Sequence, residues 1–138
     1  MRSTRVAALI ISLMASLPAQ AEVAVQVVHS GDDSIGQRLA YFYKEALRNS
    51  SEFVVALDPQ LGFRVRLITL DPTERETGYS TVYSAVWTWN NPEEPYDFYL
   101  TTVVGTCGSN RVKGCAEDLL VTTSQQFEKI RAILSQAK

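Results

Sequence analysis

The chain has 138 residues, with 13 basic and 15 acidic side chains and a formal net charge of −2. That length suits one domain around one core once any targeting segment is set aside. The mild acidity excludes a general attraction for nucleic acid or anionic membrane, which a basic face normally recognises; protein and small-molecule partners stay open.

Residues 1–21 read as a signal peptide. Arg2 and Arg5 form a positive n-region, Val6 to Leu17 is an apolar run, Pro18 breaks it, and Ala19-Gln20-Ala21 presents small residues for cleavage after Ala21. The apolar run is shorter than the roughly 20 residues that span a bilayer. No cysteine follows the cleavage site, so no lipid anchor and no stable membrane insertion are expected. The expectation is a periplasmic or secreted chain, with 22–138 as a single α+β domain. In such a chain two cysteines pair. Cys107 and Cys115 are therefore expected to close a short loop with a basic tip, Arg111 and Lys113. A zinc site would need four ligands, and no further Cys or His lies near these two.

Glu22 to His29 has the β-branched, alternating character of a strand. Gly31-Asp32-Asp33 then turns into a helix, with Ser34 and Gln37 at capping-box spacing. Ile35, Leu39, Phe42, Ala46 and Leu47 recur at helical spacing up to about Arg48. Asn49 matches a glycosylation acceptor pattern, although its place at a helix end explains it without sugar. Glu52 to Leu57 is a short strand, and Asp58 to Gly62 suits a hairpin connection to the strand Phe63 to Leu70. Tyr79 to Trp89 is the longest strand signal, and Tyr96 to Val104 is the last. Beyond the cysteine loop, Ala116 to about Gln136 is a second helix with the stripe Leu120, Thr123, Phe127, Ile130 and Leu134. The order strand, helix, four strands, helix implies one mixed sheet of about five strands, packed on one face by two helices.

Gly31-Asp32-Asp33, then Ile35-Gly36-Gln37-Arg38-Leu39-Ala40 and Ser50-Ser51-Glu52-Phe53-Val54-Val55, resembles the N-terminal domain of the periplasmic TolB family. The curli-secretion lipoprotein family shares a related pattern. The likeness covers the first strand, helix and strand only. The sequence departs from both families in showing no β-propeller region and no lipidation cysteine. The resemblance implies an α/β start and adaptor work in the envelope; no functional residue carries over.

Two places are candidate partner-binding surfaces. Tyr79, Thr81, Tyr83, Ala85, Trp87 and Trp89 share one side of their strand. If the helices cover the small row on the other side, Tyr83, Trp87 and Trp89 lie on the bare sheet face beside Arg64 and Arg66. Aromatic and arginine side chains are what binding hot spots use. The competing reading makes that row the core, because large rings dominate burial. The second candidate is the basic loop tip, Arg111 and Lys113, whose bland alternative is a staple between strand and helix. His29, Asp32 and Asp33 are the one cluster of catalytic residue types near a strand end, and the two acids already serve a helix start. No nucleophile elbow, phosphate loop or metal-ligand spacing occurs, so neither an enzyme nor a cofactor is expected. The reading is an exported binding or adaptor protein with a protein partner in the cell envelope. The alternatives are an inhibitor or immunity-type protein and, last, a small hydrolase.

Overall fold

The computed structural model describes residues 22–73 and 77–137; the expected signal peptide and residues 74–76 lie outside the described residues. The elements are β1 (Val23–Ser30), α1 (Ser34–Arg48), β2 (Phe53–Ala56), β3 (Gly62–Leu70), β4 (Ser80–Asn90), β5 (Phe98–Gly108) and α2 (Val112–Gln136). They build one five-stranded mixed sheet in the order β2-β1-β3-β4-β5, which is the α+β architecture expected from the sequence. β1 runs parallel to both β2 and β3, whereas β3, β4 and β5 form an antiparallel meander.

The hairpin expected between β2 and β3 does not form: β1 lies between them. α1 is a crossover, so it returns the chain parallel to β1 on one side. The segment after β2 then leads to β1's other edge, and Gln26 of β1 receives it by donating from Nε2 to the Leu57 carbonyl, 3.3 Å away.

α1 begins one residue earlier than the Ser34 cap suggests. Asp33 has an extended backbone and its carboxylate accepts from the Gly36 amide at 2.7 Å, which fills one of the orphan donors of the first turn. Gly31, at φ 146°, allows the tight approach before it: a Cβ there would sit 2.2 Å from Thr69 Oγ1. The buried stripe is Ile35, Leu39, Ala40, Tyr43 and Leu47. Phe42, expected in that stripe, stands at its margin and is only partly covered.

The largest departure is at the cysteines. β5 runs on to Gly108 and α2 starts at Val112, so the expected loop shrinks to Ser109–Arg111. Cys107 lies in the ladder opposite Thr81 of β4, and Cys115 lies in the first turns of α2, with the two bonded as a disulfide. Closing that short span restricts the unfolded chain by about 2–3 kcal/mol in the loop-entropy picture. The missed signal is Val112, Cys115, Ala116 and Leu119, a buried stripe at helical spacing that Gly108 and Gly114 obscured. α2 accordingly buries Leu119, Thr123 and Gln126, with Phe127 and Ile130 partly covered, while Leu134 is exposed.

Both helices cover the same sheet face, and a single hydroxyl joins the layers. Thr123 Oγ1 donates to the Leu119 carbonyl at 2.8 Å. Its lone pairs then accept from the Tyr43 hydroxyl at 2.7 Å and the Trp87 indole N–H at 3.0 Å. All three side chains are inaccessible to solvent, and burial pushes the Tyr43 phenol well above its ordinary range. Beside this node Phe53, Phe63, Phe127 and Trp89 pack edge to face, with ring centroids 5.2–6.4 Å apart.

A Thr123→Val substitution keeps the shape and removes the acceptor. Two buried donors lose their partner at about 1–3 kcal/mol each, so a loss of about 2–6 kcal/mol is expected. Urea unfolding checks it, and Thr123→Ser retains most of the stability because the hydroxyl remains.

Candidate functional site

Strand parity distributes the expected site residues. Thr81, Tyr83, Ala85, Trp87 and Trp89 point toward the helices. Trp87 has no exposed surface and Tyr83 retains 8 %. From Thr81 to Trp87 the row is thus core, with Trp89 packed at its margin and Tyr79, just before β4, exposed. The binding face drawn through Tyr83, Trp87 and Trp89 is corrected. The reason is volume: the small row of Ser80, Ser84 and Thr88 cannot fill the space under two helix stripes, whereas the rings can. Tyr83 also covers Gly105 across the ladder, where a Cβ would come within 2.7 Å of the phenol oxygen. Trp89 is half-buried, its ring edge-on to Phe63 at 5.2 Å. Arg64 and Arg66 have the opposite parity and lie on the uncovered face, so the aromatic row and the arginines are not brought together.

The basic pair is also placed differently. Arg111 is the residue before α2, and Lys113 sits in its first turn with Nζ 5.3 Å from the centre of the Phe42 ring. With Arg38 they border a cleft of about 310 Å³ between the two helices. They belong to the helical layer, on the far side of the sheet from Arg66.

The uncovered face carries what the alternation alone does not announce. In order along β3, the rows across it read Val28, Arg66, Val86, Thr102, then Ser30, Ile68, Ser84, Val104, then Leu70, Val82, Thr106. Val28, Ile68, Leu70, Val82 and Val104 are exposed, Leu70 and Val104 by about 70 %. A bare sheet face is ordinarily polar. The signal for it was the apolar doublets Val27-Val28, Leu67-Ile68 and Val103-Val104, in which both faces of a strand are apolar at once.

One end of this face is closed by the loop after β4. Asp97 folds back and accepts from Asn90 Nδ2 at 2.6 Å, Arg64 Nη1 at 2.8 Å and Thr88 Oγ1 at 3.2 Å. Partial burial pushes its carboxyl up, but those hydrogen bonds and the Arg64 charge outweigh it and hold the group below the usual range. Arg64 is completed by Gln26, whose Oε1 accepts from Nε at 2.9 Å. Arg66 is different: among the described residues no carboxylate pairs with it. It borders a shallow depression of about 420 Å³ whose opposite wall is Pro95 and the exposed Tyr96.

The His29 cluster is assembled for structure. His29 shares a 2.9 Å hydrogen bond between Nε2 and Thr69 Oγ1, and Asp33 is occupied as the helix cap. A cavity of about 560 Å³ opens at Gly31, Asp32, Asp33, Thr69 and Asp71, and His29 is not among its lining residues. Among the described residues no group of three His, Cys, Asp or Glu side chains stands where a metal could be held. Burial, with Lys44 adding to it, lowers the His29 pKa against the opposing pull of Asp33 and Asp32.

A histidine lowered in the folded state is protonated first in the unfolded chain, so stability falls as pH drops from the ordinary histidine range toward the folded pKa. Urea unfolding between about pH 7 and pH 5 is expected to show that loss, and His29→Gln is expected to flatten it.

Comparison of the sequence with known protein families and with characterised proteins finds no match.

Proposed function

We propose that the chain is an exported binding protein that acts by protein–protein contact in the cell envelope, through the uncovered face of its sheet. One observation carries the reading. Exposed Ile68, Leu70, Val82 and Val104 form rows on one side of Arg66, with Val28 beside it, and Arg66 has no carboxylate partner among the described residues. Apolar surface of this kind marks interaction sites, and arginine at its margin is a hot-spot residue type. The partner that fits presents apolar side chains beside a carboxylate. Export is supported by the leader-like residues 1–21 and by the Cys107–Cys115 disulfide, which belongs to oxidising compartments. Among the described residues no helix is long and apolar enough to cross a membrane. The strand-helix-strand resemblance to envelope adaptors points the same way.

A second reading rests on the loop between β4 and β5. Glu93 and Glu94 are exposed on it, while Asp97 clamps its base to Arg64. A stiff acidic loop suits an inhibitor that enters a partner's cleft, because less ordering entropy is lost on binding.

Capture of envelope proteins on the purified chain tests both. Arg66→Glu is expected to weaken the captured complex by about 2 kcal/mol or more, roughly thirtyfold in Kd. If Arg66→Glu and Leu70→Glu leave capture unchanged, the sheet face is not the contact. Loss with Glu93→Lys and Glu94→Lys alone moves the site to the acidic loop.

A further inference from the structure

Among the described residues β5 is a free edge of the sheet, and its sequence is unusual for one. It spans 11 residues, FYLTTVVGTCG, with no charge and no proline. Soluble proteins protect long edges with charges, prolines, bulges or a covering segment, since unpaired backbone groups otherwise template another strand. The one irregularity in the β4–β5 ladder lies near its start, between Trp87 and Thr88, and Thr101–Cys107 beyond it is regular. Among the described residues, no hydrogen bond apart from the β4 ladder reaches the backbone of Thr101–Thr106. The opposite edge, β2, has only four residues.

We propose that β5 pairs antiparallel with β5 of a second copy, joining two five-stranded sheets into one continuous sheet. The occupant follows from the charge pattern. A two-fold axis sets a strand against itself, so a charged residue would meet its own kind near the axis, and like charges opposite one another repel. β5 has none. With the axis at mid-strand, Val103 faces Val103 of the second copy and Thr102 faces Val104 of the second copy, β-branched pairs that suit a ladder. Pairing β5 with β2 instead would engage four residues and repeat into an open filament, whereas β5 with β5 closes as a dimer. The inference concerns the edge and stands apart from the adaptor reading, which concerns the face.

Sedimentation velocity over a range of concentrations decides it. The wild-type chain is expected to sediment as a dimer. The double variant Thr102→Lys/Val104→Lys is expected to sediment as a monomer with unchanged far-ultraviolet circular dichroism. Ile68→Lys/Leu70→Lys, on the same face but away from the edge, is expected to remain dimeric. A monomeric wild type, a dimer that survives the β5 variant, or one that the Ile68/Leu70 variant dissolves equally overturns the proposal. Hydrogen exchange on the wild type gives a reading independent of the variants. All amides of Thr101–Thr106 are expected to be protected, and rapid exchange of alternate ones shows the edge to be unpaired.

Discussion

Three elements distant in sequence meet at one oxygen. Thr123 on α2 accepts from Tyr43 on α1 and Trp87 on β4, and none of the three has water to fall back on. A buried donor without an acceptor costs more than an ordinary hydrogen bond contributes, so this contact restricts where each element can sit. α1 must place residue 43 over the sheet, α2 must present residue 123 between α1 and β4, and β4 must turn its large side chains inward. The Phe53, Phe63 and Phe127 cluster then fills the space toward β2.

That inward turn has a consequence on the other side of the sheet. A strand's period of two means that choosing the aromatic row for the core hands the even-numbered residues of β4 to the open face. Because β3 and β5 are in register with β4, the choice extends to Ile68, Leu70 and Val104. The uncovered apolar face and the node at Thr123 are thus two sides of one register. The clamp of Asp97 on Arg64, Thr88 and Asn90 keeps the loop after β4 at one end of that face, which leaves Arg66 and the apolar rows open.

The disulfide does a related job for the last helix. By tying the end of β5 to the first turns of α2, it sets where α2 starts, and through that the phase in which Thr123 arrives at Trp87. The Arg111 and Lys113 side chains are carried along into the helical layer, where Lys113 rests on the Phe42 ring. Their chemistry is local to the helix pair, although in the sequence they look like the tip of a loop.

The elements and their order were legible in the sequence, because hydrophobic period and turn residues are local properties. So was the pairing of Cys107 with Cys115, since a chain with two cysteines has one possible bridge. Three things were decided only by the tertiary structure. β1 sits between β2 and β3, because pairing partners are chosen by whichever edges the crossover leaves free. The start of α2 at Val112 hides behind Gly108 and Gly114, whose local preference for turns is overridden by burial of Val112, Cys115 and Ala116. The side of β4 that faces the helices is the most consequential. Alternation separates the Trp87 row from the Val82 row, but only the volume to be filled beneath two helices settles which row is inside.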